Sequence, residues 1–301
     1  MKLRLLLFCF LIMAAEIASP GQADFPKLTG PYLGHKPPGM VPEHFGVGVI
    51  DNNERVFAIT FSPDGRECFY TYSQKLNAIA TTKEVDGVWT KPVVAEFSGK
   101  VFDFEPHVTP DGRRMIFGST RPLPDPNKPK GLDQWVIERK DGGWSEPKSL
   151  GAPFDNGFCM YVSVARNGNI YYTGEDGIYL ARLSDGAYSA PEKLAQVINR
   201  LPRAAHPFIA PDESSLIFDA QPQEGNSDLF ISFKNEDQTW SEPHKFGPEI
   251  NTNEGELCAF ITRDGKYLFF SRLTEKQGDI FWVDAKILEK PRGRMDKRSR
   301  P

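Results

Sequence analysis

Short apolar runs alternate with polar turns along most of the chain, and five of the runs end in closely related turns. The runs VFAITF, EPHVT, MYVSV, HPFIA and CAFIT are followed by SPDG, TPDG, ARNG, APDE and TRDG. A second apolar run follows each turn: ECFYTY, MIFGS, IYYTG, SLIFDA and YLFFSR. The turn residue is Asp64, Asp111, Asn167, Asp212 or Asp264, at spacings of 47, 56, 45 and 52 residues. Asp-Gly suits a tight turn between antiparallel strands, because Gly accepts positive φ and Asp caps the turn. Each unit therefore begins with a hairpin.

A second signature follows the first four hairpins: DGVWTKP (86–92), DGGWSEP (141–147), DGAYSAP (185–191) and DQTWSEP (237–243). The runs before it, LNAIATT, QWVIER, IYLARL and DLFISF, predict a third strand. The aromatic of the signature starts a fourth, and the proline suits an outer edge, where a missing N–H costs little. Four-stranded units of about 40–50 residues are the mark of a β-propeller. The last unit supplies only three strands, CAFIT, YLFFS and DIFWVDAKIL, whereas the N-terminus holds an orphan fourth, VPEHFGVGVIDNN (41–53), matching APEKLAQVINR (190–200) and EPHKFGPEINTN (242–253). The expected fold is all-β: a five-bladed β-propeller of four-stranded antiparallel blades. Residues 42–50 form the outermost strand of the last blade and close the ring. The propeller domain is expected over 42–289, with a lead-in at 24–41.

The first residues, MKLRLLLFCFLIMAAEIASPGQADF, have a different pattern. Lys2 and Arg4 precede an apolar stretch, and small residues at Gly21 and Ala23 suit cleavage before Asp24. The stretch is shorter than the roughly 20 residues of a membrane span, so 1–23 is expected to be a signal peptide and the protein periplasmic or extracellular. The tail 290–301 (KPRGRMDKRSRP) is basic and expected to be disordered. A hydrophobic fraction of 40% with 25% charged residues suits a soluble globular chain and excludes a polytopic membrane protein. A net charge of −4 gives no electrostatic case for nucleic acid. Cys68, Cys159 and Cys258 all lie in strand-like runs and are expected to be buried thiols; a Cys159–Cys258 disulfide is the alternative.

The Pro-Asp-Gly units resemble the PD40 or WD40-like repeats of TolB-type bacterial propellers, over roughly residues 30–290. The run APDESSLIFDA…DLFISF…WSEP…INTNEGE…DGKYLFFS…GDIFWVDAKIL looks like a group of exported bacterial proteins. The resemblance implies the propeller fold. It carries no role in the Tol envelope system, since TolB has six blades and a separate N-terminal domain.

In a propeller the innermost strands line a central channel. Six positions before each turn residue stand Ala58, Glu105, Tyr161, His206 and Cys258; two positions earlier come Val56, Asp103, Cys159, Ala204 and Glu256. Strict alternation puts both sets on one side of the strand. With Tyr72, Arg121, Glu175, Asp219 and Arg272 on the second-to-third connections, one mouth is expected to gather a polar, two-signed group. Asp103, Glu105 and Glu256 are the acid and base candidates if the protein is an enzyme. His107, Arg121, Tyr161, His206 and Arg272 are the candidate ligand-binding residues. Structural roles compete with these: Glu105-Pro106 and His206-Pro207 are candidate inter-blade tethers, and Arg121 and Arg272 candidate partners of nearby acids. The proline-rich 119–132 loop is a candidate lid or a plain surface excursion.

No GxSxG, HExxH, Walker A or GxGxxG motif is present, and neither the histidine nor the cysteine spacing suggests a metal, so no metal or cofactor is expected. The favoured reading is a monomeric, exported, non-catalytic binding module for an envelope or extracellular glycan, peptide or protein. The alternative is a glycan-active hydrolase or lyase working at the channel mouth.

Overall fold

The computed structural model describes residues 25–50, 54–73, 75–221, 225–274, 277–289 and 291. The expected signal peptide, and the tail apart from Pro291, lie outside the described residues.

Five antiparallel sheets form the ring. Blade 1 is built on strands Arg55–Phe61, Glu67–Ser73 and Asn77–Val85. Blade 2 follows with Asp103–Val108, Arg114–Ser119 and Asp133–Lys140. Blade 3 uses Met160–Val164, Ile170–Gly174 and Gly177–Ala181, and blade 4 Ala205–Ile209, Ser215–Ala220 and Asp228–Phe233. Blade 5 consists of Gly255–Ile261, Tyr267–Leu273 and Gly278–Asp284.

The repeated turns have one construction. Asp64 Oδ1 accepts from Ser62 Oγ and from the Arg66 N–H. Asp111 does the same with Thr109 and Arg113, and Asp264 with Thr262 and Lys266. The following glycines, Gly65, Gly112 and Gly265, have φ of 69°, 70° and 71°. In blade 4 Glu213 holds that left-handed position at φ 60°, and its carboxylate is anchored by Asn167, Asn169 and Tyr171 of blade 3.

The proline of the second signature splits the outer strand in the first three blades. In blade 1, Val88–Trp89 pairs with the far end of the third strand and Val93–Val94 with its middle. Pro92 lies between them, without the N–H a continuous ladder needs. Pro147 and Pro191 divide the outer strands of blades 2 and 3 in the same way.

The N-terminal strand closes the ring, and it is shorter than its apolar pattern implies. Glu43 pairs with Trp282 and His44 with Phe281. The Phe45 N–H then donates to the Ile280 carbonyl at 2.8 Å. Phe45 is 1% exposed and meets Phe61, Phe269 and Trp282 edge-on, so the seam is fastened by an aromatic plug rather than by ladder length. The lead-in crosses the same seam. Gly30 accepts from the Trp89 indole, Tyr32 donates to Gly65 of blade 1, and Gly39 accepts from Asp284 of blade 5.

Candidate functional site

Each inner strand carries an irregularity at the same repeat position. Ala58, Glu105, Tyr161, His206 and Cys258 all have left-handed φ, between 41° and 54°. The strand register shifts at each of them. None is glycine, so each bulge costs about 1 kcal/mol or more. The bulge turns each N–H out of its own ladder and toward the preceding blade. Ala58 donates to Ser271 Oγ at 3.0 Å, Glu105 to Thr71 Oγ1 at 2.8 Å and His206 to Thr173 Oγ1 at 2.8 Å. Blade 2 has Gly118 where blade 1 has Thr71, and the Tyr161 N–H goes to the Glu105 carboxylate instead, at 3.0 Å. The Cys258 N–H faces Asp219 Oδ1 at 3.4 Å. These bonds stitch neighbouring blades around the axis.

Two residues further along lies a second belt of bonds. Thr60 accepts from the Val108 N–H, His107 Nε2 from Val164 and Ser163 from Ile209. His107 thus occupies the place of a Thr or Ser tether. It is buried, and burial pulls its pKa down from 6.5 to about 4, so it is a neutral acceptor.

At mid-channel the bulges bring Glu105, Tyr161 and His206 together. Both oxygens of Asp219 lie 2.9–3.0 Å from His206 Nδ1, and Glu105 Oε1 lies 3.4 Å from Nε2. Burial pulls the imidazole pKa down, but the two carboxylates outweigh it and push the value up to about 10. His206 is therefore an imidazolium clasped between Asp219 and Glu105. The Tyr161 ring stands edge-on to His206, and its hydroxyl donates to the Ala259 carbonyl across the channel at 2.8 Å. Burial pushes that phenol well above its ordinary value.

The other candidates form two separate pairs at the strand entrances. Asp103, fully buried, accepts from Ser98 Oγ, Ser119 Oγ and the Arg121 guanidinium, which also donates to the Phe97 carbonyl. Glu256, also fully buried, accepts from Thr252 and from Arg272 Nε at 2.7 Å, and Arg272 donates on to the Ile250 carbonyl. Because of the bulges, strict alternation does not hold past Asp103 and Glu256. These two acids are held within their own blades, whereas Glu105 belongs to the mid-channel group. Asp219 supplies half of the clasp and Cys258 its nearest thiol. The repeat position of Cys258 was the available signal, but its apolar setting reads as core.

The 119–132 loop folds back on blade 3. Lys128 pairs with Asp155, Leu132 bridges to Phe158, and Leu123 packs on the blade 2 core. Cys68, Cys159 and Cys258 are each free and buried, so the alternative of a Cys159–Cys258 disulfide does not hold. Where the inner strands run into their turns, at the end away from Asp103 and Glu256, lies a cavity of about 480 Å³ lined by Phe61, His107, Val164, Phe208, Phe260 and Arg263 among others. No helix among the described residues is long and apolar enough to cross a membrane.

No family model and no curated protein matches the chain. Among solved structures, the chain is similar to putative TolB from Agrobacterium tumefaciens, at 14% identity over 77% of each chain with a TM-score of 0.51. TolB from Acinetobacter baumannii matches at 16% identity, over 76% of this chain and 54% of that one, with a TM-score of 0.47. A GH43 endo-arabinanase from Bacillus licheniformis matches at 10% identity, over 78% of this chain and 94% of that one, with a TM-score of 0.46. The first of these likenesses, together with the five closed blades, makes the chain a propeller of TolB-like fold.

Proposed function

We propose that this protein is an exported, non-catalytic binding module of the PD40 or WD40-like repeat type, taking an extracellular or envelope glycan, peptide or protein at its channel mouth. One observation carries the reading: every candidate acid or base already has fixed internal partners. Asp103 is held by Arg121 and two serines, Glu256 by Arg272 and Thr252, and Glu105 by His206 and the Tyr161 N–H. A general acid or base must exchange a proton with a substrate held within hydrogen-bond reach. Groups engaged in this way serve to shape a rigid ring instead. Rigidity favours binding, because little conformational entropy is lost when a partner docks.

The test incubates the purified protein with neutral and acidic polysaccharides and follows the products by mass spectrometry, with pull-downs from envelope extracts alongside. Retention of a glycan or protein without new oligosaccharide masses is expected. New masses that vanish in Glu105→Gln or Glu256→Gln would make the protein an enzyme and overturn the proposal. Export is checked separately by N-terminal sequencing of protein recovered outside the cytoplasm, which should begin at Asp24.

A further inference from the structure

The mid-channel clasp has a second chemical capacity. Glu105, His206 and Cys258 each present one ligand atom, and the three atoms lie within 4.8 Å of one another. They come from the same bulge position in blades 2, 4 and 5, so no local sequence spacing joins them. Asp219 holds His206 Nδ1, which fixes the ring and leaves Nε2 facing Glu105. A carboxylate on the far nitrogen is the usual support of a metal-bound imidazole, since it orients the ring and raises its basicity. Glu105 is itself oriented by the Tyr161 N–H on its other oxygen.

We propose that the three side chains form a binding site for a single divalent transition-metal ion, zinc being the best fit to a mixed N, O and S donor set. Tetrahedral bonds of about 2.0–2.3 Å place ligand atoms roughly 3.3–3.8 Å apart. The trio must therefore close by at most about 1 Å. Charge is conserved in the exchange. The metal displaces the Nε2 proton of the imidazolium and the Sγ proton of the thiol, so two protons leave as two positive charges arrive. Ion entry requires a solvent-facing edge, and the His206 side chain, at 15% exposure, supplies it while Glu105 (4%) and Cys258 (0%) are enclosed. The ion would tie three blades together at the axis without using the mouth.

The experiment uses protein expressed from the full-length sequence, stripped with chelator and titrated with cobalt(II) chloride near neutral pH. A thiolate-to-cobalt absorption band saturating at one equivalent is expected, with displacement by zinc chloride. The band should be absent in Cys258→Ser, persist in Cys68→Ser, and need at least tenfold more cobalt in His206→Gln. No band in the wild type, or a band that survives Cys258→Ser, overturns the site. Should Cys258→Ser fail to fold, calorimetry of the wild type decides: zinc binding must release protons, at least the one the Cys258 thiol gives up on becoming a ligand, and binding without proton release, or no binding, refutes the site.

Discussion

The His206 clasp makes stability depend on pH in a direction that can be worked out. The imidazole has an ordinary pKa of 6.5 and a folded value of about 10. A folded value above the unfolded one means that the folded chain holds the proton more tightly. The stabilisation is complete below about pH 6.5 and is lost as pH rises toward about 10. A shift of that size is worth at most about 5 kcal/mol, and about 2 kcal/mol of it disappears between roughly pH 7.0 and 8.5. That window is useful because it lies above the acid range in which neutral His107 resists protonation, and at or below the range in which unfolded thiols ionise. Above it, burial of Cys68, Cys159 and Cys258 adds a decline of the same sign. Urea unfolding at intervals across the window, in chelator, measures the slope. The wild type should lose about 2 kcal/mol, and His206→Gln should be less stable at neutral pH with a much flatter profile. A flat wild-type profile, or an equal slope in the variant, would refute the imidazolium assignment.

Two further predictions concern the ring. Phe45→Ala should lower stability by about 3–5 kcal/mol, because it empties an enclosed aromatic site at the seam; a urea midpoint within error of the wild type would show that the ladder alone closes the ring. Arg121→Met strands the Asp103 carboxylate and should cost about 3–5 kcal/mol. Asp103→Asn combined with Arg121→Met should recover a large part of that loss, and strictly additive losses in the double variant would argue against a direct ion pair.

Much of this architecture was legible because it repeats. The Asp-Gly turns at 64, 111 and 264, and the prolines at 92, 147 and 191, act within a few residues, so local chemistry reveals them. The orphan strand near Phe45 shows itself by its likeness to residues 190–200 and 242–253. The channel was harder to read. A left-handed position normally shows itself as Gly or Asn, and Ala58, Glu105, Tyr161, His206 and Cys258 are neither. Their conformation is held by bonds to Ser271, Thr71, Glu105, Thr173 and Asp219, residues 33 to 213 positions away in the chain. Alternation therefore grouped Asp103 with Glu105, whereas the bulge parts them. The sequence offers Arg121 and Arg272 as partners of nearby acids but does not say which acids; the structure pairs them with Asp103 and Glu256 inside single blades.

The seam at residues 43–45 also sets a timetable. Blades 1 to 4 are each assembled from neighbouring stretches of chain, but blade 5 joins the beginning of the domain to its end. Glu43 finds its partner only once Trp282 exists, so the ring stays an open arc until almost the whole chain is available. Contacts of such sequence separation form slowly, and until they form the outer face of Gly278–Asp284 is a bare strand edge of the kind that recruits other chains. A chain cut short before this strand would keep four blades and never become a ring.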